Sequence, residues 1–155
     1  MNVADLLERA RKAGIVIATA ESCTGGMIAA ALTDIPGSSD VVDSGFVTYS
    51  NGAKMRMLGV LNTTLEAHGA VSEQVAQEMA EGALRNSAAS LTVSVTGIAG
   101  PGGSEFKPEG RVCFGVAKSG APTQTETVEF GALGRDNVRT ATRDHALRML
   151  LERIS

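Results

Sequence analysis

The sequence predicts an α/β fold: a three-layer α/β/α domain built on a mixed, mostly parallel sheet of about five strands, with a β-hairpin toward the C-terminus. Three observations lead there. Two short runs rich in β-branched residues read as strands: IVIATA (15–20), apolar and buried, and LTVSVT (91–96). Stretches with apolar residues at helical spacing alternate with them. Two more strand-like runs, RVCFGVAK and TQTETVEF, are joined only by SGAPT, a hairpin-length connection.

The elements follow in order. Residues 4–13 form a helix with Ala4, Leu6, Leu7, Ala10 and Ala13 on one stripe and Gly14 as its stop. The first strand, 15–20, leads through ESCTGG into MIAAALTD, a compact helix that ends before Pro36. VVDSGFVTY (41–49) is a second strand, and Gly45 marks a bulge or close backbone approach. NGAKMRMLGV reads as a helical turn or short helix. Ser72 caps the next helix, whose inner face is Val75, Ala76, Met79, Ala80, Ala83 and Leu84. After strand 91–96 comes a glycine-rich loop, 97–110, then the hairpin, then a long helix from about Arg135 to Arg153.

Composition bounds the function. The 155 residues suit one domain, 1–155, which buries about 70% of its unfolded surface. With 43% hydrophobic and 20% charged residues the chain is neither disordered nor fibrous. No apolar run approaches the ~20 residues of a membrane span, and MNVADLLERARKAG has no apolar core of a secretory signal. The net charge is -3, and the aromatics are 4 Phe, 1 Tyr and no Trp. That argues against nucleic acid as the main partner, which calls for a basic footprint and stacking rings. The 2 Cys form no CxxC pair and sit far from both His residues, so no metal site and a reduced cytoplasmic setting are expected.

Three segments at strand ends carry the candidate chemistry. ESCTGG lies where a buried strand gives way to a helix, the edge at which open α/β sheets bind ligands. The helix start favours an anion, and Gly25 and Gly26 allow close backbone approach. Ser22, Cys23 and Thr24 bring nucleophile or hydrogen-bonding groups. The same residues also suit a plain capped helix start, and spacing does not choose between the two. The segment is neither a P-loop nor a GxSxG elbow.

The second segment, GFVTYSN followed by Lys54, places the only tyrosine, Tyr49, and a lysine beyond another strand, with Tyr49 expected to join the catalytic group by hydrogen-bonding the amine or the serine hydroxyl and keeping both aligned. No local pattern brings His68 or His145 to a serine, so lysine is the substitute base, as in Ser-Lys variants of the catalytic triad. A lysine base needs its pKa brought from about 10.4 to roughly 7–8, or about 4 kcal/mol of destabilised ammonium. A solvated helix lysine is the plain alternative. The third segment, TGIAGPGG, begins at Thr96 and Gly97 and places Gly100 in a loop able to wrap a phosphate or ribose. A flexible crossover is its plain alternative. Finally, Arg135 falls in the first turn of the last helix, where it opposes the helix dipole and calls for an anion, either a substrate phosphate or a neighbouring carboxylate.

Taken together, AESCTGG, GSS (37–39), GFVTYSN with Lys54, HGAVSEQV and TGIAGPGG with KPEGRV closely resemble the CinA C-terminal domain family, and equally its stand-alone nicotinamide-nucleotide amidases. The resemblance runs from about residue 4 to 153. It implies hydrolysis of the carboxamide of nicotinamide mononucleotide to nicotinate mononucleotide and ammonia, without metal or organic cofactor. Carried over by position, Ser22 matches the nucleophile and Lys54 its base, while Tyr49, Ser39, Thr96 and Arg135 match pocket positions. Gly25 and Gly26 then stand beside the oxyanion, and Gly97, Gly100 and Arg135 beside the phosphate. The expected partner is a small mononucleotide, with no nucleic acid and no membrane, and the expected state is a cytoplasmic homo-oligomer. Two other readings remain open at this level: a nucleotide-binding module without turnover, and an amidohydrolase using Cys23, whose thiol a helix N-terminus would acidify.

Overall fold

A computed structural model describes residues 2–104 and 106–154. Five strands, β1 (Ile17–Glu21), β2 (Val42–Val47), β3 (Leu91–Gly97), β4 (Arg111–Lys118) and β5 (Gln124–Glu129), form one sheet in the order β2-β1-β3-β4-β5. β1 pairs parallel with both β2 and β3. β3 with β4 and β4 with β5 pair antiparallel. Four strands therefore run the same way and β4 alone opposes them. The expected mixed sheet is present, but its pairings divide evenly between parallel and antiparallel because β4 and β5 form the hairpin.

Helices α1 (Val3–Ala13), α2 (Met27–Thr33) and α6 (Arg135–Ile154) cover one face. Helices α3 (Asn51–Leu58), α4 (Asn62–His68) and α5 (Glu73–Arg85) cover the other. Local chemistry sets the ends. Asn2 caps α1 by accepting from the Asp5 N–H at 3.2 Å, and Gly14 closes it at φ 69°. Ser72 accepts from the Val75 N–H at 3.2 Å, as a helix N-cap should. Buried α1 residues are Leu6, Leu7 and Ala10, a narrower stripe than the sequence pattern, with Ala4 and Ala13 left exposed. On α5, Leu84 is half-buried, and Gly82 instead is buried against the end of α3.

Both faces of β1 and β3 are buried, so each strand feeds two cores. On one face Ile17, Leu91, Val93 and Val95 join Leu6, Leu147 and Leu150. On the other, Ala20 joins Leu58, Val75, Met79 and Ala83. β3 meets α5 through hydroxyls as well. Thr92 Oγ1 donates to Ala80 O at 2.7 Å and Ser94 Oγ to Ala76 O at 2.5 Å. The period of two along the strand aims both groups at one helix. Gly115 on β4 completes that contact, since a Cβ there would lie 2.6 Å from Ala76 O.

The sequence marks α4 only at its end, where His68 precedes Gly69. The helix starts at Leu61 without a side-chain cap and buries only Leu65, so it leaves no helical periodicity to read. Strand ends move by one to three residues, with β1 running to Glu21 and β2 stopping at Val47. All three candidate segments emerge at one edge, the carboxyl ends of β1, β2 and β3. Ser39 does not. It sits in a short 3₁₀ turn, Ser38–Asp40, just before β2 and hence at the opposite edge of the sheet.

Candidate active site

The turn from Ser22 to Gly26 leaves β1 and enters α2. Gly25 at φ 57° and Gly26 at φ 110° stand in the left-handed region, which side chains disfavour. Their N–H groups do not face a ligand. Gly25 N–H donates to Ser22 O at 3.1 Å, and Gly26 N–H to Glu21 Oε1 at 3.2 Å. The Glu21 carboxylate also accepts from Thr24 Oγ1 at 2.5 Å, Ile28 N–H at 2.9 Å and Ala29 N–H at 3.0 Å. The start of α2 is thus already served by an anion, but one supplied by the chain itself. This corrects the expectation that a ligand anion would sit there on Gly25 and Gly26. Glu21 is fully buried, and its role was legible only as an acidic residue directly before Ser22.

Lys54 reaches the same point from α3. Ser50 caps that helix, accepting from Ala53 N–H at 3.0 Å, and the first turn carries Lys54 inward. Its side chain is 2% exposed. Nζ donates to Ser22 Oγ at 3.2 Å and to Tyr49 O at 3.3 Å. The Tyr49 contribution to the amine is therefore its backbone carbonyl. Its phenol points elsewhere: it is 63% exposed and its OH accepts from Arg135 Nη2 at 3.0 Å. The expectation that the phenol aligns serine and amine is corrected accordingly.

Ser22, Cys23, Tyr49, Lys54, Thr96, Gly97, Gly100 and Arg135 line one cavity of about 330 Å³. Among the described residues that line it, the basic side chains are Lys54 and Arg135. Thr96 Oγ1 is engaged, donating to Ala70 O at 2.9 Å. Gly97 is tight, since a Cβ there would lie 2.6 Å from Val112 Cγ2. Gly100 has φ 94° and precedes a cis peptide to Pro101. Its carbonyl accepts from Arg135 Nη1 at 2.7 Å. Within the loop, Glu109 Oε1 accepts from Gly102 N–H at 2.6 Å. As at α2, a loop N–H expected to face a phosphate meets an internal carboxylate instead.

The two histidines stay away from Ser22. His145 packs its ring on Phe114, with centroids 4.5 Å apart, and hydrogen-bonds Glu126. His68 ends α4 and borders a different cavity with Lys107 and Cys113. Cys23 sits beside Ser22 at 5% exposure. Burial pushes its thiol up to about 11, against the lowering effects of its backbone N–H and Arg139, with lesser contributions from Glu21, which raises it, and Lys54, which lowers it. The acidified thiol expected at a helix N-terminus is thus the reverse of what this environment produces. Arg139, four residues beyond Arg135 and so on the same helix face, meets the turn that carries Ser22. Its Nε donates to Cys23 O at 3.0 Å and its Nη2 to Thr24 O at 3.2 Å. Among the described residues no cluster of three or more His, Cys, Asp or Glu could hold a metal, and no helix is long and apolar enough to cross a membrane.

Comparison with known proteins gives a consistent result. A CinA-like protein of Chlorobium phaeobacteroides is 54% identical over 144 residues, covering 90% of this chain and 34% of that protein. A CinA-like protein of Chlorobaculum tepidum is 50% identical over 153 residues, or 96% of this chain and 35% of its own length. The chain thus spans about a third of the curated relatives it matches. Among solved structures, a CinA superfamily protein of Escherichia coli superposes with a TM-score of 0.93 at 36% identity, covering 97% of this chain and 87% of that one. The competence/damage inducible protein CihA of Agrobacterium tumefaciens gives 0.87 at 49% identity, with 96% and 94% covered. The profile of the CinA C-terminal domain matches residues 2–154, and the chain belongs to that family.

Proposed function

We propose that the protein hydrolyses the carboxamide of nicotinamide mononucleotide to nicotinate mononucleotide and ammonia. The observation that carries this reading is the 3.2 Å contact between Lys54 Nζ and Ser22 Oγ, with both groups buried at the wall of one cavity. That separation suits direct proton transfer. A base in this role acts as the neutral amine, and Lys54 reaches Ser22 from within the protein interior. Neutral Lys54 takes the Ser22 proton as Oγ attacks the carboxamide carbon. The resulting ammonium then protonates the departing amine, which leaves as ammonia. Water, deprotonated by the same amine, opens the acyl-serine to release the carboxylate and restore Ser22.

The oxyanion donor we assign is the Cys23 N–H, the backbone donor that directly follows the nucleophile. It replaces Gly25 and Gly26, whose N–H groups are already bonded within the turn. The mononucleotide phosphate binds at Arg135, through guanidinium donors beyond those on Gly100 O and Tyr49 OH. Thr96 and Gly97 form the floor between the two ends. Ser39, at the far edge of the sheet, has no part within its own chain's cavity. Ser22 rather than Cys23 is the nucleophile, because Lys54 Nζ contacts Ser22 Oγ, while burial raises the Cys23 thiol instead of activating it. The enzyme works without a cofactor, as a cytoplasmic homo-oligomer.

The test is ammonia release by the purified protein from nicotinamide mononucleotide, with nicotinamide riboside as comparison. Release from the mononucleotide well above that from the riboside supports the reading. Tight mononucleotide binding without ammonia would make the protein a nucleotide-binding module instead.

A further inference from the structure

The turn that carries Ser22 is held from two sides by opposite charges, and neither charge has a role in the chemistry above. Glu21 holds its inner side through the four donors of Thr24, Gly26, Ile28 and Ala29. Arg139 holds its outer side from α6, more than a hundred residues away, through the carbonyls of Cys23 and Thr24. Backbone bonds from Ser22 N–H to Val95 O at 3.2 Å, Gly25 N–H to Ser22 O at 3.1 Å and Met27 N–H to Thr24 O at 3.1 Å complete its support. Gly26, at the N-cap position of α2, makes no side-chain cap, and two consecutive glycines leave its backbone permissive.

We propose that Glu21 and Arg139 are positioning residues for the amide hydrolysis: a two-charge clamp that sets Ser22 Oγ and the Cys23 N–H against Lys54. The proposal rests on Ser22 being the nucleophile. The geometry explains how the clamp acts. A guanidinium is a planar fork, suited to two successive carbonyls in a way that a lysine ammonium is not. Holding Cys23 O fixes the plane of the Cys23–Thr24 peptide. The bond from Gly25 N–H to Ser22 O fixes the preceding plane, and with it the direction of the Cys23 N–H. A misplacement of about 1 Å at a reacting group is enough to lower a rate by ~10².

Arg139→Met tests this without emptying the core, since Arg139 is only half-buried on α6. Glu21→Gln is the companion variant, and if it fails to fold, Arg139→Met decides. Three quantities are read on the full chain: kcat and KM for nicotinamide mononucleotide, the rate of Ser22 labelling by a fluorophosphonate probe, and the melting temperature. Arg139→Met is expected to lower kcat and the labelling rate in parallel by tenfold or more, with KM within twofold. Arg139→Lys should recover only a part of that loss. Labelling and kcat both within twofold of the unsubstituted protein in a folded Arg139→Met would overturn the clamp. So would full recovery by Arg139→Lys, because a point charge would then serve as well as the fork. Because labelling needs no substrate, a protein that labels at Ser22 but releases no ammonia sinks the substrate assignment and leaves the clamp readable. A protein that does not label at all removes the nucleophile on which the clamp rests, and the clamp with it.

Discussion

Replacing Lys54 by methionine separates chemistry from packing. The side chain is 2% exposed, so methionine keeps most of its apolar contacts while the amine is lost. What disappears is the partner 3.2 Å from Ser22 Oγ and the donor to Tyr49 O. A positioned general base contributes about 10²–10⁴ in rate, or roughly 3–5 kcal/mol of transition-state stabilisation. Because Lys54 serves as base, leaving-group acid and base again, the expected loss in kcat lies at the upper end of that range. KM should move little, since the amine acts on the transition state more than on bound substrate. The fold should hold, because an apolar group replaces a buried polar one in place. The assay is steady-state ammonia release with a thermal melt on the same sample. Lys54→Arg, whose guanidinium stays protonated, should fail as well. A folded Lys54→Arg or Lys54→Met retaining more than a tenth of the activity would refute the base assignment.

Two further outcomes follow from the same site. Cys23→Ala should leave turnover within about threefold, and iodoacetamide labelling of Cys23 should stay slow below pH 9 and climb toward pH 11. Its thiol is raised to about 11, so its thiolate fraction grows only over that alkaline range; labelling that saturates near pH 8 would contradict this. Arg135→Ala should raise KM for the mononucleotide tenfold or more and leave the riboside unchanged, since a charge-assisted hydrogen bond contributes roughly 1.5–3 kcal/mol. An equal effect on both compounds would move the phosphate elsewhere.

Much of the fold is legible in the sequence because its signals are local. Run 15–20 is apolar and β-branched, and run 91–96 alternates apolar residues with hydroxyls, both signals of strands that end up covered. The hairpin is legible from SGAPT, and α5 from Ser72 with its apolar stripe. α4 is not, because a single buried leucine defines no period. The site divides in the same way. Ser22, Lys54, Thr96, Gly100 and Arg135 follow strand ends, and parallel pairing of β1 with β2 and β3 brings those ends together. The inward-facing charges are harder to see. Glu21 and Glu109 satisfy N–H groups that glycine-rich loops appeared to reserve for a ligand, and which donor meets which acceptor depends on the folded path of the chain. Arg139 reaches Cys23 across 116 residues, and nothing in the local sequence announces it. Ser39 shows the converse: the family resemblance assigns it to the pocket, and strand direction carries it to the other edge.

The central claim is that Ser22, activated by Lys54, attacks an amide carbon, and a trapped intermediate tests it most directly. The protein is mixed with nicotinamide mononucleotide, quenched in acid within the first turnovers, digested and analysed by mass spectrometry, beside Ser22→Ala. The account predicts a nicotinate mononucleotide ester on the peptide containing Ser22, ammonia release in step with it, and loss of both in Ser22→Ala, whose turnover should fall by up to ~10⁶. An adduct on Cys23, or ammonia release by Ser22→Ala at more than a hundredth of the unsubstituted rate, would contradict it.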